Sequence, residues 1–159
     1  RQRQMCIRDR AQQMAPYGLP SNLDAWDGYP AARERLFAML SAHATNPISL
    51  AGDTHNAWAF SLTNAQGEAV GVEWGTPGVS SPGLESYVPL PPEQMQALLK
   101  GASPELVACD TSQRGWTQVT LTPESATAQW RFVSSVVEPT YQVSAGEPLV
   151  AERDTRRLT

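Results

Sequence analysis

Residues 48–56 read Ile-Ser-Leu-Ala-Gly-Asp-Thr-His-Asn, and this stretch carries most of the information about the fold. The apolar run over 48–51 is typical of a short buried strand, and Gly52 allows the backbone to turn sharply where the run ends. The polar residues that follow predict a loop at the carboxyl end of that strand. In open α/β sheets, ligands bind at this edge.

The segments on either side mix helical and extended periods. Apolar residues at helical spacing predict a helix over 31–43, which begins after Pro30 and ends before Pro47. Residues 57–62 and 69–74 read as two strands joined by a polar hairpin connection. Residues 91–100 have the start and stop signals of a second helix.

The final third of the chain predicts β structure. Residues 116–122 and 126–137 alternate in polarity and are separated by a turn, which indicates a second hairpin. Beyond Pro139 the periodicity is lost, and residues 151–159 read as a charged tail. We therefore predict an α+β fold or the distal half of an α/β sandwich.

Length and composition exclude several classes of protein. A chain of 159 residues is long enough for one domain and too short for two ordinary ones. Its 12 basic and 16 acidic residues argue against binding to a nucleic-acid backbone, which needs clustered Lys and Arg. The apolar runs are too short to span a membrane. The two cysteines, Cys6 and Cys109, are too few for a disulfide scaffold.

The first ten residues differ from the rest of the sequence. They hold four of the 12 basic residues and lack the apolar segment of a secretory signal. They look like translated adaptor sequence from an environmental assembly, with a basic amphipathic arm as the alternative. We predict that residues 1–10 are a non-native leader, and we expect the remainder to be a fragment of a longer protein.

Asp53 and His55 are the sharpest chemical feature of the sequence. Two residues apart in a loop, a carboxylate and an imidazole can face the same side, and together they suit a divalent or trivalent metal ion. The alternative is that Asp53 caps a turn and His55 is only a polar loop residue. The spacing leaves both interpretations open. His43 is not a candidate ligand, because at a helix end it complements the helix dipole.

Three neighbouring motifs have structural explanations of their own. Asp24 and Asp27 precede the first helix, where a carboxylate can cap the helix start. Residues 75–83 are rich in glycine and serine but lack the Gly-Lys-Ser/Thr ending of a phosphate-binding P-loop, which excludes that interpretation. The tripeptide Arg114-Gly115-Trp116 predicts a turn followed by a packed aromatic residue.

In this order, the segments resemble the PhoD-type alkaline phosphatases of the calcineurin-like metallophosphoesterase superfamily. The resemblance runs from about residue 20 to about residue 137 and corresponds to the C-terminal portion of the catalytic domain. It is carried by residues 24–35, 50–56, 71–74 (Gly-Val-Glu-Trp), 79–83 (Val-Ser-Ser-Pro-Gly), 114–116 (Arg-Gly-Trp) and 129–133 (Gln-Trp-Arg-Phe-Val).

The resemblance implies the distal part of a four-layer α/β/β/α sandwich around a centre of iron and calcium. Such enzymes hydrolyse phosphate esters by metal-activated water or oxide. His55 then matches the metal-binding histidine of a Gly-Asp-x-His loop, and Asp53 is a further catalytic metal ligand or orients that histidine. Asp27 is implied as a calcium ligand, with Asp24 behind it. Asn56 is implied as a substrate contact or as a residue that orients the ligands.

One departure from the family limits these expectations. The family takes its remaining metal ligands from upstream segments that this sequence lacks, and Cys109 lies on the wrong side of the histidine to replace the family's cysteine. Residues 11–150 therefore correspond to the C-terminal part of the domain, whose expected partner is the missing N-terminal half. We expect negligible phosphatase activity from the chain alone, and a parent protein that is secreted or periplasmic.

Two other classes of function stay open at this point. The chain could be a β-rich, non-enzymatic binding or accessory domain. Its four tryptophans of the strand regions, Trp58, Trp74, Trp116 and Trp130, would then pack a core or form a ligand face. It could also belong to a different metallohydrolase, in which the Asp/His pair serves peptide or nucleotide substrates.

Overall fold

The computed structural model describes residues 25–159, and every structural statement below refers to this part of the chain. The structure opens with a short 3₁₀ turn; the first helix is then followed by three strands and the second by five. In chain order the elements are the 3₁₀ turn Trp26–Gly28, α1 (Pro30–His43), β1 (Ile48–Ala51), β2 (Ala57–Thr63), β3 (Ala69–Gly75), a 3₁₀ turn Leu84–Ser86, α2 (Pro92–Ala102), β4 (Leu106–Asp110), β5 (Arg114–Leu121), β6 (Ser125–Val133), β7 (Val143–Ala145) and β8 (Leu149–Glu152).

Helix α1 confirms the predicted helix to within one residue at its start. Pro30 occupies the first helical position, where a missing N–H costs nothing because that group has no partner within the helix. The helix buries Arg33 and Phe37, and the guanidinium carbon of Arg33 lies 4.2 Å from the centre of the Phe37 ring. Neither α1 nor α2 is long and apolar enough to cross a bilayer.

The first sheet determines where loops emerge. Its strand order is β1-β3-β2-β4, with β1 parallel to β3 and the other neighbours antiparallel. β2 and β3 form the predicted hairpin. Because β1 and β3 run side by side in the same direction, Ala51 pairs with Gly75 and both strands end at the same edge. Two loops therefore leave the sheet next to each other.

The second sheet has the order β5-β6-β7, and β8 also pairs with β6. Strand β6 has the alternation that the sequence predicts: its even-numbered positions are buried and its odd-numbered positions are half-buried. The buried positions are Ala126, Ala128, Trp130 and Phe132. The pairing of β5 with β6 confirms the second predicted hairpin.

Two apolar clusters hold the layers together. On one face of the first sheet, Phe37 of α1 packs with Trp58 and Phe60 of β2. On the other face, Trp74 of β3 packs in one cluster with Trp130 of the second sheet. The layers thus follow the order helices, sheet, sheet, which confirms the expected partial α/β sandwich. Truncating one of these buried aromatic side chains to alanine typically costs about 3–5 kcal/mol.

Three details differ from the predictions. Strand β4 was not predicted, because five residues with a charged end give little periodic signal. Strand β6 ends at Val133 rather than at residue 137, and β5 already begins at Arg114. Trp116 is not packed but 43% exposed. It lies opposite Arg131 on the face of β5 that points away from the first sheet, whereas Arg114 is buried.

The end of the chain, where we expected a charged tail, carries ordered contacts. Residues 149–152 form β8 against β6. Beyond β8, the Arg156 guanidinium donates to the carbonyl oxygens of Ala44 at 2.7 Å, Thr45 at 2.9 Å and Ser41 at 3.2 Å. A cation at this place satisfies carbonyls at the end of α1 and complements the helix dipole.

Candidate functional site

The candidate site lies where β1 and β3 end. The loop after β1, which we call the histidine loop, comprises residues 52–56. The loop after β3, which we call the proline loop, comprises residues 76–86. The backbone N–H of Thr76 donates to the carbonyl of Ala51 at 2.9 Å, so the two loops start in contact. This is the carboxyl edge at which the sequence predicts a ligand-binding loop.

The histidine loop has an unusual backbone. Asp53 has a φ of 61° and His55 a φ of 59°, which places both in the left-handed region that non-glycine residues seldom adopt. Each such residue costs about 1–2 kcal/mol, and the conformation persists only where its surroundings hold it. Thr54 supplies part of that support, since its backbone N–H donates to Gly52 at 2.7 Å and its hydroxyl accepts from the indole of Trp58 at 2.8 Å.

His55 makes one hydrogen bond through its ring to the described residues. Its Nδ1 lies 3.1 Å from the carbonyl oxygen of Pro82 in the proline loop. Because a carbonyl oxygen can only accept, this bond requires the proton on Nδ1. The neutral ring then carries its lone pair on Nε2, and that is the form in which histidine binds a metal ion. The ring is half-buried, not enclosed among apolar side chains.

Asn56 joins the two loops. It is 4% exposed, its side-chain NH₂ donates to the carbonyl of Thr54 at 2.6 Å, and its Oδ1 accepts from the backbone N–H of Leu84 at 3.0 Å. Both the NH₂ group and the oxygen of the carboxamide are therefore bonded to backbone groups of the protein. The geometry therefore gives Asn56 a part in holding the histidine loop against the proline loop.

The carboxylates expected around His55 are only partly described. Asp53 is exposed in the histidine loop, two residues before His55. Asp27 lies in the 3₁₀ turn before α1, with its side chain outside the described part of the structure, and Asp24 lies outside the described residues altogether. Within residues 25–159, no group of three or more His, Cys, Asp and Glu side chains is placed to hold a metal ion.

An ion pair between a buried arginine and a half-buried glutamate supports the proline loop from the other side. Arg114, 8% exposed at the start of β5, pairs with the carboxylate of Glu85. The same carboxylate oxygen, Oε1, accepts from the backbone N–H of Gly83 at 3.2 Å. Next to this pair, the N–H of Gly115 donates to the carbonyl of Gly78 at 3.0 Å. The start of β5 is thus bonded to both halves of the proline loop.

Gly83 is required by close packing. A Cβ atom at this position would lie 2.5 Å from Oδ1 of Asn56, 2.7 Å from Oε2 of Glu85 and 3.0 Å from the carbonyl oxygen of Thr111. Only glycine lets these three oxygens approach the chain here. Glu85 and Arg114 were not predicted as site residues, because the two are 29 positions apart and a turn followed by a packed aromatic explained the motif around Arg114.

His43 and Cys109, which we did not expect to bind metal, occupy structural positions in the fold. His43 is exposed in the last turn of α1, as predicted. Cys109 is buried in the core between the helices and the first sheet. Burial raises the pKa of its thiol to about 11, Asp110 adds to the rise, and Lys100 opposes it.

The tryptophans mainly build the core. Trp58, Trp74 and Trp130 are each at most 6% exposed, whereas Trp116 is half-exposed. A ligand face made from all four is thereby excluded. The fold and the site together define an α/β sandwich protein with a histidine-containing loop at the carboxyl edge of its first sheet.

Comparison with known proteins identifies the family. The model of the PhoD-like phosphatase family matches residues 2–130, so the chain belongs to that family. The chain is 29% identical over 142 residues to alkaline phosphatase D of Bacillus subtilis (strain 168). That match covers 86% of this chain and 24% of the relative, so the chain spans about a quarter of the curated protein.

A solved structure titled "Structure of PhoD" has the same fold. The superposition gives a TM-score of 0.70 at 23% sequence identity, and it covers 92% of this chain and 28% of the solved one. The structural likeness supports the α/β architecture, while family membership rests on the sequence match.

Proposed function

We propose that this chain is the C-terminal part of the catalytic domain of a metal-dependent phosphatase that hydrolyses phosphate esters. The observation that carries the proposal is the contact between Nδ1 of His55 and the carbonyl of Pro82, because it leaves Nε2 as the metal-binding nitrogen. Family membership supports the phosphatase class, and the name of the Bacillus relative points to the same activity.

We assign His55 and Asp53 as ligands of one metal centre. A neutral imidazole suits iron and a carboxylate suits either iron or calcium, so the donor types fit the two metals expected for the family. When bound, such metals supply a water-derived nucleophile near neutral pH and neutralise charge on the phosphoryl oxygens. The negative charge of Asp53 would partly offset the positive charge of the metal ions. His55 would contribute a neutral donor.

The remaining expected residues have subsidiary roles in this proposal. Asp27 is a third candidate ligand, contributed from the turn before α1. Asn56 orients the histidine loop through its two bonds to the backbone, and its carboxamide contacts the substrate only if those bonds rearrange. The other ligands come from the N-terminal half of the domain, which we take to be the chain's principal partner. We place the parent protein outside the cytoplasm, as expected for this family.

The main test uses the full-length parent protein. We expect His55→Ala to lower the hydrolysis of p-nitrophenyl phosphate by at least about 100-fold, because loss of a ligand should cost no less than loss of a residue that orients one. His43→Ala, which removes an exposed histidine at a helix end, is the matched control and should leave the rate within about twofold. Undiminished activity of His55→Ala would refute the assignment.

The 159-residue chain offers a separate test of the partial site. We expect the purified chain to hydrolyse p-nitrophenyl phosphate at no more than the rate of buffer containing iron and calcium. A rate well above that level, removed by a chelator and restored by the metals, would show that residues of this chain alone complete the centre.

A further inference from the structure

The geometry points to Glu85, held by Arg114, as a positioning residue that orients His55 through the peptide group between Pro82 and Gly83. This inference deepens the proposed function, since the metal-binding meaning of His55 rests on it. The contacts themselves are independent of any metal, and each can be followed from one residue to the next.

The central element is a single peptide group with a partner at each end. Its N–H belongs to Gly83 and donates to Oε1 of Glu85 at 3.2 Å. Its C=O belongs to Pro82 and lies 3.1 Å from Nδ1 of His55. In a trans peptide the N–H and the C=O point in opposite directions, so a group bonded on both sides cannot rotate without losing a bond. The carboxylate and the imidazole are therefore coupled across one rigid plane.

The coupling is electronic as well as geometric. A carboxylate that accepts from a peptide N–H polarises that peptide and makes its carbonyl oxygen a stronger acceptor. A stronger acceptor holds the imidazole proton more firmly on Nδ1 and makes Nε2 a better donor to a metal ion. Metal-binding histidines commonly receive this help from a direct carboxylate or carbonyl partner. Here the direct partner is the carbonyl of Pro82, and Glu85 strengthens that acceptor from the other side of the Pro82–Gly83 peptide.

Arg114 keeps the carboxylate in place. Its guanidinium pairs with Oε1 of Glu85 and donates to the carbonyl of Gln113 at 2.9 Å. The arginine side chain is 10% exposed and that of Glu85 is 31% exposed, so the pair is shielded from much of the solvent. Gly83 completes the arrangement, because a Cβ atom there would lie 2.7 Å from the other carboxylate oxygen. The site thus contains a charged pair, a glycine and a peptide aligned on one histidine.

The test measures the tautomer of His55 in the full 159-residue chain, without metal, at a pH where the ring is neutral. Nitrogen-15 NMR distinguishes a proton on Nδ1 from one on Nε2. We expect wild-type His55 to be predominantly Nδ1-protonated, while exposed His43 shows the ordinary mixture and serves as an internal reference. In Glu85→Gln, which keeps the shape and removes the charge, we expect the ratio of Nδ1-H to Nε2-H at His55 to fall by about fivefold, because the charge-assisted bond from Gly83 becomes an ordinary neutral one.

The matched control is Glu34→Gln, because Glu34 also pairs with a buried arginine, Arg33, at 3.1 Å, but on helix α1. It should leave the tautomer of His55 unchanged. Arg114→Lys keeps a positive charge beside Glu85 and should change the ratio by no more than about twofold. If Glu85→Gln fails to fold, Arg114→Lys is measured instead. The inference requires that His55 remains predominantly Nδ1-protonated in Arg114→Lys.

The outcomes separate this inference from the proposed function. If Glu85→Gln lowers the unfolding temperature but leaves the tautomer unchanged, the ion pair is only structural and the inference is overturned. The inference is also overturned if Arg114→Lys folds and its His55 shows the same mixture of tautomers as His43. Because neither measurement involves a metal or a phosphate ester, failure of the phosphatase proposal would appear only in the activity of His55→Ala.

Discussion

Two turns of this protein have the same local design and opposite uses. The first, residues 53–55, is Asp-Thr-His, and the second, residues 154–156, is Asp-Thr-Arg. In each turn the first and third residues have positive φ: 61° and 59° in the first turn, 66° and 53° in the second. None of these four residues is glycine, so each turn is held in a costly conformation by its surroundings.

The two turns differ in what their third residue does. In the second turn the Arg156 side chain itself bonds to three carbonyl oxygens at the end of α1. In the first turn the His55 ring makes one bond, and the loop is held mainly by Thr54 and Asn56. The Arg156 side chain therefore serves the fold, whereas the His55 ring makes a single hydrogen bond to the described residues, and we propose that its other nitrogen binds a metal ion. The same backbone motif is therefore stabilised by its own third side chain in one place and mainly by neighbouring residues in the other.

The largest expected effect tests the support of the first turn. Gly83→Ala should lower the free energy of unfolding by about 3 kcal/mol, because its Cβ would meet three oxygens, one of them on the backbone. Urea unfolding measures this. Gly101→Ala is the control: its Cβ meets nothing within 4 Å inside helix α2, so it should stabilise the chain by about 0.5 kcal/mol. Equal effects of the two substitutions would contradict the packing argument.

The second turn should depend on its own side chain. Arg156→Ala should cost about 2 kcal/mol, since it removes charge-assisted bonds from a guanidinium to carbonyls at a helix end. Arg153→Ala removes an arginine from the same segment whose pair with Asp154 is exposed at both partners, and it should change stability by less than about 0.5 kcal/mol. If both substitutions cost equally little in chemical denaturation, the contacts of Arg156 contribute nothing measurable.

The first turn should depend little on its third residue. In the metal-free chain, His55→Ala should cost about 1 kcal/mol or less, because only one ring hydrogen bond is lost. The double variant His55→Ala/Arg156→Ala tests whether the two turns are independent. Its loss of unfolding free energy should equal the sum of the two single losses within about 0.5 kcal/mol. A loss for His55→Ala as large as that for Arg156→Ala would remove the distinction between the turns.

The last expected effect concerns pH: it is absent at neutral pH, where the stabilities of the two turns should be compared, and appears only in alkaline solution. Burial raises the pKa of Cys109 from 9.0 to about 11. The folded state therefore keeps its proton while the unfolded state loses it. The stability from Cys109 is fully present below pH 9 and is lost as the pH rises towards 11. The free energy of unfolding of the wild-type chain should therefore fall between pH 8 and 11. In Cys109→Ala it should fall less over the same range.

Much of the fold could be predicted from local patterns. Pro30 and the helical spacing after it located α1, and the alternation over residues 126–132 located the buried face of β6. The histidine loop was located because an apolar strand followed by Gly52 predicts a turn at a sheet edge. Strand β4 escaped prediction because its position beside β2 depends on pairing with distant residues rather than on its own period.

The sequence by itself determined both helices, the two hairpins and the position of the histidine loop, since steric preferences and hydrophobic spacing act over a few neighbouring residues. The family was indicated by the order of its short motifs. Only the tertiary structure decided which polar groups meet: Glu85 with Arg114 across 29 positions, and Arg156 with the end of α1 across 112. A hydrogen bond depends on distance and angle between groups that the fold brings together. That is why two nearly identical tripeptides could acquire different roles.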